Sequence, residues 1–156
     1  MQLINYSRQS INKSDEKNVV KVLRSDFLTT GPVGVDFEKK VSKLVNCKYS
    51  ISVNSATSGL HLSCKALNMN SKDIVWTTTN TFVATTNCAV HCGAKVDLID
   101  IELDSFNLDL NKLEKKLIKA KKAKKLPSLI IIVHFAGNPV NMKKIFNLSK
   151  IYNFKI

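Results

Sequence analysis

Ile74-Val75-Trp76-Thr77-Thr78-Thr79-Asn80-Thr81-Phe82-Val83-Ala84-Thr85-Thr86-Asn87-Cys88-Ala89-Val90-His91-Cys92-Gly93-Ala94-Lys95-Val96-Asp97-Leu98-Ile99 decides the fold. A β-prone run at 74–77 is followed by a helix-like stretch at 82–91 and a second β-prone run at 96–99. A strand, a covering helix and a return strand form a unit that pairs its strands in parallel. The same alternation continues outward. Residues 49–53, 74–77, 96–99 and 129–133 are expected as strands, and 58–67, 82–91, 111–122 and 142–151 as helices. Two further helices are expected ahead of them. The first covers 14–24, capped by Asn12 or Ser14 with Asp15 and Glu16 in its first turn, and the second covers 35–45 after the turn sequence Thr29-Thr30-Gly31-Pro32. The expected fold is α/β, a mostly parallel sheet with helices on both faces. The last residues, Asn153-Phe154-Lys155-Ile156, open another strand, and a domain seldom stops inside one, so the sequence is expected to be cut short.

Composition narrows the class. The chain has 156 residues, 44% hydrophobic and 23% charged, which suits a folded globular chain and not a disordered one. Its longest apolar run, 129–133, is far below the ~18 residues of a membrane span. The opening Met1-Gln2-Leu3-Ile4-Asn5-Tyr6 lacks the basic-then-apolar order of a secretory signal, so a cytoplasmic protein is expected. Cys47, Cys64, Cys88 and Cys92 are then reduced thiols, and the Cys88-x-x-His91-Cys92 group suits packing better than zinc because no second ligand pair follows. The net charge of +12 has its centre at 112–125, where Lys112, Lys115, Lys116, Lys119, Lys121, Lys122, Lys124 and Lys125 surround Leu113, Leu117 and Ile118. That spacing describes a solvated helix with a narrow apolar stripe. The aromatic interleaving of a single-strand-binding surface is missing, so no specific nucleic-acid partner is expected.

Three segments could carry chemistry, each just beyond an expected strand, where helix N-termini present main-chain N–H groups to ligands. In Asn54-Ser55-Ala56-Thr57-Ser58-Gly59-Leu60, small side chains and hydroxyls would suit a phosphate cradle or an ordinary helix cap. In Asn80-Thr81-Phe82-Val83-Ala84-Thr85, Phe82 could lie against a planar ring or fill the core. In His134-Phe135-Ala136-Gly137-Asn138-Pro139, His134 has no assignable carboxylate partner, and a packing or capping role suits it better than acid–base work.

The order of Thr29-Thr30-Gly31-Pro32, Phe37-Glu38, 54–62, 81–85, Gly93-Ala94-Lys95-Val96 with Asp100, and 134–139 resembles the DegT/DnrJ/EryC1/StrS family of sugar-nucleotide aminotransferases over almost the whole chain. The segments 6–11 and 25–29 are most similar to the branch that makes UDP-4-amino-4,6-dideoxy-N-acetyl-β-L-altrosamine for pseudaminic acid synthesis. The resemblance implies the N-terminal part of the large domain of a type I fold transferase dependent on pyridoxal 5'-phosphate (PLP). It implies an N-terminal helix and substrate loop at 1–33, followed by an incomplete cofactor-binding domain at 34–156. Ala56, Thr57 and Ser58 would receive the cofactor phosphate, and Phe82 would stack on its ring. Tyr6, Asp26, Phe27, Leu28 and Thr29 would help bind a UDP-sugar, with an amino acid such as glutamate as the second substrate. The aspartate that pairs with the ring nitrogen and the Schiff-base lysine would lie beyond Ile156, so no catalytic residue is expected within the chain. The complete protein would be a homodimer. A rival expectation is a catalytically inactive binding or dimerisation module of the same fold.

Overall fold

The computed structural model describes residues 7–156. The chain divides into two units, Met1–Ser52 and Val53–Ile156. The division expected at 33/34 falls inside a continuous helix. Among the described residues of the first unit, two helices make up the regular structure, α1 at Lys13–Leu23 and α2 at Pro32–Leu44. Asn12 caps α1 in a reciprocal box: its Oδ1 accepts from the Ser14 and Asp15 N–H groups at 2.8 and 3.3 Å, and its own N–H donates to Asp15 Oδ2 at 2.9 Å. Helix α2 starts earlier than expected. Gly31 is its N-cap and Pro32 its first residue, because proline's fixed φ and missing N–H are harmless in a first turn. The expected turn is present at Thr29 and Thr30 and runs straight into the helix start at Gly31 and Pro32.

The second unit holds α3 (Ala56–Ala66), β1 (Ile74–Thr78), α4 (Ala84–Val90), β2 (Lys95–Ile99), α5 (Leu110–Lys122), β3 (Leu129–Ile130) and α6 (Met142–Tyr152). The sheet order is β2-β1-β3, with both pairs parallel and Trp76 opposite Asp97 on one side and Ile130 on the other. Lys155 extends the sheet past β3: its N–H donates to the Ser128 carbonyl and its carbonyl accepts from Ile130, each at 2.9 Å. Of the expected strand opening at 153–156, Lys155 thus makes one isolated parallel bridge, and Asn153 is the left-handed cap of α6. Residues 49–53 do not form the expected strand. Tyr49 and Ile51 are 74% and 79% exposed, and β-prone side chains form a strand only where a neighbouring ladder receives them.

Alternation along β1 separates two cores. Val75 points to one face and packs with Cys64, Cys88, Ala89 and Leu129, the face that α3 and α4 cover. Trp76 points to the other, with Leu113, Leu117, Ile145 and Leu148 of α5 and α6. Helices therefore lie on both faces. Part of the basic excess on α5 is engaged in ion pairs: Lys112 with Asp100 at 2.5 Å and Lys116 with Asp97 at 2.8 Å. Among the described residues no helix is long and apolar enough to cross a membrane.

Candidate functional site

The start of α3 is a helix cap with donors to spare. Ser55 Oγ accepts from the Ser58 N–H at 3.1 Å, and the Ser58 hydroxyl donates to Asn54 Oδ1 at 2.7 Å. Gly59 N–H reaches the Ser55 carbonyl at 3.1 Å. Among the described residues no hydrogen bond reaches the N–H of Ala56 or Thr57, and both residues are exposed. Unpaired N–H groups at a helix N-terminus carry partial positive charge and suit an anion. Of the three residues expected to form a cradle, Ala56 and Thr57 present free main-chain donors. Ser58 is half-buried and occupied by the cap.

Phe82 precedes α4 and is 74% exposed, so it fills no core. The neighbouring turn is built without it: Thr81 Oγ1 donates to Thr85 Oγ1 at 2.8 Å, and Thr85 N–H donates to the Phe82 carbonyl at 2.9 Å. The helices that carry the two features pack on each other. Cys64 and Cys88 sulfurs lie 3.6 Å apart, and the His61 and His91 rings are centred 5.8 Å apart. Burial, reinforced by Cys88, pushes the Cys64 thiol up to about 12. These cysteines pack the helix pair, and among the described residues no group of three or more His, Cys, Asp or Glu could hold a metal ion.

Beyond β2 and β3 lie two irregular loops. His134 Nδ1 accepts from the Val140 N–H at 3.2 Å, a local brace for the turn at Phe135–Gly137. Asn107 is buried, and its side chain accepts from the Phe135 N–H at 3.0 Å and donates to the Asn138 carbonyl at 3.1 Å. Nothing in the sequence singled out Asn107. Its partners lie some thirty residues downstream, and the only hint is an amide set between the apolar residues Phe106 and Leu108.

In the first unit, a cavity of about 510 Å³ is lined by Val22, Phe27, Leu28, Thr30, Gly31 and Glu38, among others. Phe27 and Leu28 of the expected substrate loop line it; Asp26 and Thr29 do not. Tyr6 lies outside the described residues. Gly31 makes the turn possible by its size: a Cβ there would stand 2.9 Å from Phe27 Cβ and 3.1 Å from the Phe27 carbonyl oxygen. Glu38 closes another side. Its Oε1 accepts from Ser52 N–H and Oγ at 2.7 and 2.8 Å, and these bonds, the main-chain one foremost, hold its carboxyl below the ordinary range.

A model of the DegT/DnrJ/EryC1/StrS aminotransferase family matches residues 9–156. The UDP-4-amino-4,6-dideoxy-N-acetyl-beta-L-altrosamine transaminase of Campylobacter jejuni is 42% identical over 154 residues, 99% of this chain and 40% of that protein. The Helicobacter pylori aminotransferase involved in the biosynthesis of pseudoaminic acid superposes with a TM-score of 0.86 at 29% identity, over 96% of this chain and 39% of that one. A Streptococcus pneumoniae protein described as a sugar aminotransferase, in its PLP form, superposes with a TM-score of 0.83 at 27% identity, over 98% of this chain and 38% of that one. The chain thus spans about two fifths of the length of these relatives. A parallel sheet covered by helices on both faces is shared with them, and it is the type I fold of PLP-dependent aminotransferases. The chain belongs to the DegT/DnrJ/EryC1/StrS aminotransferase family.

Proposed function

We propose that these residues supply the phosphate and ring-face contacts of a PLP-dependent aminotransferase that moves an amino group from an amino acid such as glutamate to the 4-keto carbon of a UDP-linked 6-deoxy-N-acetyl sugar. The observation that carries the reading is the pairing of unengaged N–H groups at Ala56 and Thr57, at the start of α3, with an exposed Phe82 just ahead of α4, the helix that packs on α3. That donor set fits a phosphate monoester joined to a flat ring: the helix N-terminus offers charge-assisted hydrogen bonds to an anion, and an aromatic face offers stacking. When bound, PLP supplies an electron sink for the carbon that gains or loses the amino group. Thr57 would hold the phosphate through its N–H and hydroxyl, and Phe82 would cover one ring face. Phe27 and Leu28, on the wall of the first unit's cavity, are proposed with Tyr6, Asp26 and Thr29 as the sugar-nucleotide contacts. The 42% identity to the Campylobacter jejuni transaminase supports the choice of sugar. A homodimer and a cytoplasmic location are part of the same proposal.

Titration with pyridoxine 5'-phosphate, which lacks the aldehyde and binds without covalent attachment, tests the reading. Thr57→Val keeps the shape and removes the hydroxyl, and is expected to weaken binding by about 1.5 to 3 kcal/mol. Phe82→Ala is expected to weaken it by about 0.5 to 1.5 kcal/mol plus the lost apolar contact. Binding by both variants as tight as by the parent overturns the cofactor site.

A further inference from the structure

Two asparagine side chains tie together the loops that follow all three strands. Asn107, 4% exposed, bridges the third loop through both ends of its amide, to the Phe135 N–H and the Asn138 carbonyl. Its main chain is held as well: the N–H donates to Ser105 Oγ at 3.2 Å, and the carbonyl accepts from the Glu102 N–H at 3.0 Å. The residue just before it, Phe106, has φ of +58°, a left-handed conformation that a bulky residue adopts only when its surroundings hold it there. The Phe106 carbonyl accepts from Asn80 Nδ2 at 3.4 Å, and its ring sits 6.0 Å from that of Phe135, tilted by 55°. Asn80 stands two residues ahead of Phe82. The third loop is strained in the same sense, with Ala136 at φ +50°. Such loops keep one shape only while the groups that pin them are in place.

We propose that Asn107 is a positioning residue for Phe82: by locking Phe106 in its left-handed conformation and seating the Phe106 carbonyl under Asn80, it holds the 79–83 loop so that Phe82 meets a bound ring. This rests on the reading that Phe82 covers the cofactor ring. The choice of residue follows from chemistry. One side chain must accept from a main-chain N–H and donate to a main-chain carbonyl at once. An amide does both; an ionised aspartate of the same shape can only accept, and it sets an anion against the Asn138 carbonyl.

A double-mutant cycle on the 156-residue chain tests the proposal, with pyridoxine 5'-phosphate and inorganic phosphate as separate probes. Asn107→Asp is expected to weaken pyridoxine 5'-phosphate binding about 2- to 10-fold, the range of a ring-stacking contact, while inorganic phosphate binds within about twofold of the parent. In the Phe82→Ala background, Asn107→Asp is expected to add nothing, because the contact it positions is already gone. Asn80→Ala cuts the link from its other end and is expected to reproduce the effect, so a misfolded Asn107→Asp leaves the proposal open to refutation. It is overturned if either variant binds pyridoxine 5'-phosphate like the parent, if both probes weaken equally, or if Asn107→Asp weakens the Phe82→Ala chain further. A parent that fails to bind pyridoxine 5'-phosphate brings down the cofactor reading as well. A parent that binds, with Phe82→Ala weakened and Asn107→Asp unchanged, removes only the role of Asn107.

Discussion

Helices α1 and α2 in the first unit and α5 and α6 in the second are built on the same local rules and end up differently. All four carry an apolar stripe, and α1, α5 and α6 have side-chain caps from Asn12, Asp109 and Asn141. Yet α5 buries Leu113, Leu117 and Ala120, and α6 buries Ile145 and Leu148, whereas α1 and α2 bury no residue. Caps and periodicity define where a helix runs. Whether its stripe leaves water depends on what stands opposite, and in the second unit that is the Trp76 face of the sheet.

Three measurements press on this contrast. The largest effect is expected in thiol chemistry. Cys64 is 1% exposed with its thiol raised from an ordinary 9.0 to about 12, so its thiolate share is about a thousandfold lower than that of an ordinary thiol. Iodoacetamide at neutral pH is therefore expected to label exposed Cys47 and leave Cys64 untouched until the chain unfolds. Equal labelling of the two in the folded chain would erase the distinction between the units. Next comes truncation. Leu113→Ala empties a fully buried site and is expected to cost about 2 to 5 kcal/mol in a denaturant melt, against less than about 0.5 kcal/mol for Leu44→Ala, where the side chain is 85% exposed. A large loss at Leu44 would mean that the stripe of α2 is covered in solution.

The smallest effect is a titration. Glu38 has a depressed folded value, so what its bonds to Ser52 contribute is present above the unfolded carboxyl value and disappears as pH falls through the folded one. The Ser52 amide resonance is expected to titrate with a midpoint below the ordinary glutamate value of about 4.3, and Glu38→Gln is expected to abolish that step. A midpoint at or above that value would show that the tether is not formed in solution.

Where the sequence could be read, it was read from rules that need few partners. Residues 74–99 announced a parallel strand-helix-strand unit because Val75 and Trp76 are apolar on both faces of one strand, as burial on both sides demands. Asn12 was legible as a cap because its partners, Ser14 and Asp15, are its neighbours. The failures have the opposite character. Residues 49–53 have strand-forming side chains, but a strand is a relation between segments, and Ile51 faces water here. Phe82 was ambiguous because the same phenylalanine serves a core or a ligand; only its exposure separates the two. Asn107 was silent because its meaning depends on the Phe135 N–H and the Asn138 carbonyl, which no local pattern connects to it.

Gly31 shows how a single small residue couples neighbouring positions over evolutionary time. Its φ of −78° suits any amino acid, so space alone, the 2.9 Å between a would-be Cβ and Phe27 Cβ, keeps the position empty. Drift at 31 is therefore blocked until the backbone at 27 moves, and the three nearest atoms that such a Cβ would meet all belong to Phe27, none to Leu28 or Thr29. The loop can change what it displays while keeping its curvature, and a library that diversifies 28 and 29 with glycine retained at 31 would sample new surfaces on one unchanged turn.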